Sequence, residues 1–112
     1  MKEERKIIAY KNYFIEFLSS LNENEVKKVF YVIDMLKVYE RVSSKFVKYI
    51  KDGLYELRAE CNGNIFRVFF IFDDGYIVVL FNGFQKKTRK TPQKDIEIAL
   101  KLKEEYYAGK KQ

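Results

Sequence analysis

No histidine occurs among the 112 residues of this chain, cysteine appears once, at Cys61, and proline once, at Pro92. Each scarcity removes a class of chemistry. Without histidine the commonest general base and the usual zinc ligand are missing, which argues against a histidine-based triad and against metal catalysis. A single cysteine forms no internal disulfide. No apolar run approaches the roughly 20 residues of a membrane span. The charged start Met1–Lys6 leads only into a short apolar patch at Ile7–Tyr10, so no secretory signal is visible. The expectation is a soluble, cytoplasmic protein with no cofactor, no metal and no membrane partner.

What is present points to a well-packed globule. Hydrophobic residues make up 47% of the chain and aromatic residues 17%, enough for one core and one domain over residues 1–112. Lysine and arginine total 22 against 16 acidic residues, a net charge of +6. The surplus is uneven: from Lys86 onward there are nine basic residues and four acidic ones. Such a cluster fits nucleic acid, an acidic protein partner or simply a solvated face.

Two dipeptides carry most of the local information. Asn62-Gly63 and Asp74-Gly75, each between β-rich runs, are the pairs preferred in two-residue type I′ hairpin turns, where both central residues need positive φ. If Cys61 pairs with Asn64, Arg58 falls opposite Arg67. If Asp73 pairs with Tyr76, Arg67 falls opposite Asn82. One polar row then crosses three strands.

Alternation along a strand puts Leu57, Val68 and Phe81, with Tyr55, Phe70 and Val79, on the opposite face, which reads as core. The arginine face also holds Ile65, Phe69, Ile71, Leu80 and Phe84. Like charges opposed on antiparallel strands are destabilising unless something neutralises them. Two solutions are open at this point: a bound anion such as phosphate, or a structural network in which Glu56 and Glu60 neutralise the arginines.

Elsewhere the pattern predicts a short first strand over Lys6–Tyr10 and a helix over residues 13–21, capped by Asn12 and carrying Phe14, Phe17, Leu18 and Leu21 on one side. A second helix runs from an Asn22/Glu25 capping box toward Tyr39. Ser43–Ile50 reads as a further short helix. Phe84–Lys90 leaves the third strand of the meander as a basic loop, and Thr91-Pro92 opens a last helix with Ile96, Ala99, Leu100 and Tyr107 on its apolar side. Gly109–Gln112 reads as frayed. The fold class is α+β: a small antiparallel sheet of an N-terminal strand plus a three-stranded meander, packed against an N-terminal helical hairpin, with a C-terminal helix.

The segments Lys51-Asp52-Gly53-Leu54-Tyr55-Glu56-Leu57-Arg58, Phe66-Arg67-Val68-Phe69, Gly83-Phe84-Gln85-Lys86-Lys87-Thr88 and Lys90-Thr91-Pro92 occur in that order. In combination they resemble the phage-derived, HigB-like branch of the RelE/ParE toxin superfamily of type II toxin–antitoxin systems. The resemblance spans nearly the whole chain. It implies a RelE-like fold and an endoribonuclease that cleaves mRNA in the ribosomal A site, inhibiting translation and growth. It also implies a cognate antitoxin, a HigA-like helix-turn-helix protein, with DNA contacted only through the antitoxin complex.

Carried over residue by residue, the family's basic strand positions fall on Arg58 and Arg67, and its basic motif after the last strand on Lys86 and Lys87. These four are the candidate catalytic residues, with Asn82, Phe84, Arg89 and Lys90 as candidate substrate contacts. Many relatives carry histidine where this chain has Asn82, and asparagine is neither acid nor base at neutral pH.

A metal-free mechanism remains available, in which the ribose 2′-hydroxyl attacks the adjacent phosphorus and leaves a 2′,3′-cyclic phosphate and a 5′-hydroxyl. Arg58 and Arg67 would stabilise the charge on the phosphate oxygens. Lys86 or Lys87 would steer phosphate or transfer a proton, and Phe84 or Phe69 would stack on a base. Two other classes stay open: a ParE-like DNA gyrase poison, and a noncatalytic member that only binds its antitoxin or RNA.

Overall fold

A computed structural model of the chain describes residues 3–86 and 92–110. Its elements are β1 (Lys6–Ala9), α1 (Tyr13–Ser19), α2 (Glu23–Val38), β2 (Val47–Lys51), β3 (Leu54–Cys61), β4 (Asn64–Asp73), β5 (Ile77–Lys86) and α3 (Gln93–Lys110). They form one five-stranded sheet in the order β1-β5-β4-β3-β2. β1 runs parallel to β5 and all other neighbours are antiparallel.

The fifth strand is the main departure from the sequence pattern. The segment expected to be helical over Ser43–Ile50 instead supplies β2, which pairs with β3 as a hairpin with Lys51 opposite Leu54. The physical reason lies in a third turn of the same kind. Asp52 and Gly53 have φ of +50° and +79°, as Asn62 and Gly63 have +52° and +82°, so a two-residue loop reverses the chain at each place. Val47-Lys48-Tyr49 alternates as a strand should, and Ile50 is the extra residue where the register shifts between Tyr49 and Lys51.

The two faces of the sheet each carry a core. On one, α1 and α2 bury Phe14, Phe17, Val29, Val32, Ile33 and Leu36 against Leu57, Phe66, Val68, Phe70 and Leu80. On the other, α3 buries Ile96, Ala99 and Leu102 against Leu54, Phe69, Ile71, Val79 and Phe81. Val79 and Phe81 were expected on the first face and Leu80 on the second; the assignment is reversed because Asp73 pairs with Ile77 rather than Tyr76. That turn has three residues, Asp74-Gly75-Tyr76, and the additional residue flips every following side chain until a bulge intervenes.

The helix ends follow from local chemistry. The Asn22/Glu25 capping box forms in both directions, at 2.9 Å each. Asn12 precedes α1 but makes no side-chain capping bond, and α1 stops at Ser19. Pro92 lies just before α3, where its carbonyl accepts from Asp95 and Ile96; Thr91, the expected cap, lies outside the described residues. Gly83 admits no side chain, since a Cβ there would stand 2.5 Å from the buried ring of Phe17.

α3 does not fray at Gly109. Lys110 Nζ donates to Asp73 Oδ2 at 2.5 Å, and Tyr106 Oη donates to the same oxygen at 2.6 Å, tying the end of the helix to the end of β4. These donors hold the Asp73 carboxyl below its ordinary value, while burial and the hydrogen bond to Asp73 push the Tyr106 hydroxyl up to about 12.

The signs give a window. Stability from Asp73 is present above its unfolded value of about 4 and is lost as pH falls through the lower folded value; stability from Tyr106 is present below about 10 and is lost as pH rises toward its folded value. We predict that Asp73→Asn is less stable than wild type in denaturant melts at pH 7, and that the gap closes below about pH 4. A gap independent of pH would show that Asp73 acts by shape alone.

Candidate anion-binding site on the sheet

The Asn62-Gly63 turn sets the register that matters. Cys61 pairs with Asn64, and counting outward Arg58 lies directly opposite Arg67. Both side chains project on the α3 side of the sheet, beyond the part of β4 that Phe69 and Ile71 give to the α3 core.

Arg67 is not opposite Asn82, as the simple turn count predicted, but opposite Phe84. The three-residue turn shifts the register once, and a bulge shifts it again: Phe81 and Asn82 together face the single residue Phe69 between the Val68–Gly83 and Phe70–Leu80 pairs. The two shifts sum to two residues, so Phe84 and Lys86 return to the arginine face. Asn82 is drawn away from the row; its buried Nδ2 donates to the Asp95 carbonyl of α3 at 3.2 Å. It is a brace between bulge and helix in this geometry.

Glu56 is the centre of the arrangement. It is fully buried, and both its oxygens lie 3.1 Å from Arg67 Nη1. Its Oε1 is also 4.0 Å from Arg58 Nε. The Arg67 side chain is only 4% exposed, whereas Arg58 is 30% exposed. The structural network anticipated from sequence therefore exists, but through Glu56; Glu60 stands exposed at the rim. Arg58 Nε, shielded from water, has no hydrogen-bond acceptor among the described residues.

Lys86 completes the cluster from β5. It sits opposite Ile65, one diagonal step from Arg67 on the same face. Its ammonium is held below the usual lysine value, first by partial loss of surrounding water and then by repulsion from Arg67 and Arg58, which Glu56 only partly offsets. Lys48 adds to the repulsion. It lies opposite Glu56 on β2, so the unexpected strand contributes a cation that the sequence pattern missed; the alternation of Val47-Lys48-Tyr49 before Asp52-Gly53 was the available signal.

Phe84 lies beside Arg67, its ring 5.5 Å from that of Phe69 and partly buried. Four expected residues thus converge: Arg58, Arg67, Lys86 and Phe84. Lys87, Arg89 and Lys90 lie outside the described residues. Three cations surround one buried carboxylate, which leaves two positive charges in excess on a half-dry surface. Its charge suits an anion with two or more oxygens. No group of acidic, cysteine or histidine residues among the described residues is arranged to hold a metal ion.

Similarity to solved structures matches this architecture. A chain of the archaeal RelE–RelB complex from Pyrococcus horikoshii OT3 superimposes with a TM-score of 0.57 at 16% identity, covering 78% of this chain and 99% of that one. The fold is RelE-like. The sequence model of the family described as phage derived protein Gp49-like matches residues 16–104, and the chain belongs to that family. No curated protein matches the chain. The expected RelE-like fold holds, and the expected phage-derived family is the Gp49-like one. No helix among the described residues is long and apolar enough to cross a membrane.

Proposed function

We propose that this chain is the toxin of a type II toxin–antitoxin pair and that its arginine face cleaves messenger RNA at the ribosome. The observation that carries the reading is the excess of two positive charges around Glu56, formed by Arg58, Arg67 and Lys86 on three adjacent strands. The Gp49-like family and the RelE-like fold support it.

The division of labour follows from exposure. Arg67 is held from below by Glu56 and presents a fixed charge; Arg58 and Lys86 are the groups an RNA phosphate reaches. The ribose 2′-hydroxyl attacks the neighbouring phosphorus, the bond to the 5′-oxygen breaks, and negative charge builds on the non-bridging oxygens. Arg58 stabilises that charge by direct contact and Arg67 by its fixed charge beneath, without rearranging, because the sheet already holds them. Lys86, whose ammonium is held below its usual value by partial loss of water and then by Arg67 and Arg58, first releases its proton to solvent and as the free amine takes the proton from the 2′-hydroxyl; solvent supplies one to the departing 5′-oxygen. Glu56 is sealed beneath Arg67 and serves as counter-ion. Phe84 supplies a ring beside the phosphate on which a base can stack.

The partner is a cognate antitoxin of the HigA-like helix-turn-helix kind; the solved neighbour is itself part of a complex of RelE with RelB. The test is the product of cleavage. Purified chain added to ribosomes programmed with a defined mRNA is expected to leave a 5′-hydroxyl and a 2′,3′-cyclic phosphate. A 5′-phosphate product, or DNA breaks in place of RNA cleavage, would overturn the reading.

A further inference from the structure

A trough leaves the arginine face at Arg58 and runs toward α2. Its first part is a small cavity of about 100 Å³ between Arg58, Ile65, Lys45 and Phe46. Lys45 and Phe46 also line the next part, a groove of about 590 Å³ that reaches Lys28 and Tyr31. Those two in turn border a third hollow of about 450 Å³ that ends at Lys27 and Asn24. The three hollows share walls and form one continuous path.

Its lining alternates cations with rings. Lys45 Nζ lies 5.5 Å from the centre of the Phe46 ring, Lys28 Nζ lies 6.0 Å from that of Tyr31, and the two rings stand edge to face at 6.5 Å. Tyr31 is 57% exposed, on the side of α2 away from the buried Val29, Val32 and Ile33. The acidic groups here are few: Glu60 lines the groove, and Glu23 reaches Lys27 at 3.5 Å on the exposed surface of α2.

We infer that this trough is a track for single-stranded RNA, continuous with the strand whose phosphate sits on the arginines. The inference rests on the proposed function and extends it. Alternating cations and aromatic faces are what a single strand needs: phosphates meet lysines, and bases of any sequence stack on rings. An acidic peptide would use the lysines and Arg58 but would have no bases to stack on the rings of Phe46 and Tyr31, whereas a single RNA strand uses both the cations and the rings. The RNA flanking the cleaved bond on one side therefore passes Phe46 and then Tyr31, held by Lys45 and Lys28.

Fluorescence anisotropy with non-cleavable 2′-O-methyl RNA tests this, comparing a trinucleotide, which covers only the arginine face, with a decanucleotide. The decanucleotide is expected to bind at least about tenfold tighter than the trinucleotide. Tyr31→Ala should remove most of that advantage, and Lys28→Ala with Lys45→Ala should reduce the slope of log affinity against log salt by about 1.4. Tyr31→Ala should leave trinucleotide binding unchanged, and Arg58→Ala should abolish it.

A decanucleotide no tighter than the trinucleotide, or an advantage that survives these substitutions, would overturn the track while leaving the arginine site intact. Trinucleotide binding that survives Arg58→Ala would instead overturn the site on which the track rests. Loss of polyglutamate binding with RNA binding retained in the trough variants would assign the surface to a protein partner and overturn the inference.

Discussion

Replacing Arg67 by alanine will destabilise the fold by about 3–5 kcal/mol, because it strands a buried charge. Glu56 has no exposed surface; its Oε2 accepts from Arg67 Nη1 at 3.1 Å, and its Oε1 lies at the same distance in the ion pair without a hydrogen bond of its own. Arg58 is too far, with Nε at 4.0 Å, to take over without moving. Against a typical domain stability of about 5–15 kcal/mol, this loss is large.

The origin of the effect is checked by a double-mutant cycle in denaturant melts. Arg67→Met with Glu56→Leu should cost much less than Arg67→Met alone, since an apolar pair of similar volume leaves no charge in the core. An Arg67→Ala protein within about 1 kcal/mol of wild type would contradict the description of Glu56 as a carboxylate that Arg67 keeps satisfied. One consequence bears on functional work. Loss of toxicity in an Arg67 variant reports folding as well as chemistry, so the substitution that isolates chemistry is elsewhere.

That substitution is Arg58→Ala, expected to lower cleavage about 100- to 1,000-fold, the usual effect of removing one preorganised donor from a developing oxyanion. Its side chain is 30% exposed, and Arg67 continues to hold Glu56, so stability should change by less than about 1 kcal/mol. Lys86 gives a companion result. Lys86→Ala should lower the rate by a similar factor, whereas Lys86→Arg should restore phosphate binding but not the rate, because arginine does not release its proton. In wild type, the rate should rise with pH below the usual lysine value, since partial loss of water and then the two arginines hold the Lys86 ammonium below it, and Lys86→Arg should lack that rise. Full activity in Lys86→Arg would show that the lysine only steers phosphate.

The part of this site that could be read from the sequence is the part governed by one turn. Asn62-Gly63 takes positive φ at both residues and closes a two-residue loop, so the Arg58–Arg67 pairing followed by counting. Asp74-Gly75 also takes positive φ at both residues, yet the loop includes Tyr76, and the bulge at Phe81 and Asn82 adds a second shift. Bulges answer to packing on both faces, here Phe81 on the α3 side and Gly83 against Phe17; no local motif announces them.

For the same reason Phe84, not Asn82, completes the row. The missing histidine looked like a loss at the centre of a site, but the geometry puts Asn82 in contact with α3. The second strand escaped notice because Val47–Lys51 is short and half-polar, although Asp52-Gly53 repeats the turn signature of the other two hairpins. Helix positions were the easiest to read, since an apolar stripe such as Val29, Val32, Ile33 and Leu36 follows helical spacing whatever the tertiary context.

On the proposed reading, charge on the β3–β4–β5 face performs RNA cleavage. The most direct measurement is transcript 5′-end mapping after induced expression of wild type and of Arg58→Ala, with folded abundance matched between the two. Growth arrest with new 5′-hydroxyl ends within translated messages is expected for wild type, and neither arrest nor new ends for Arg58→Ala. Arrest that persists unchanged in Arg58→Ala, or arrest without new ends in the wild type, would contradict that reading.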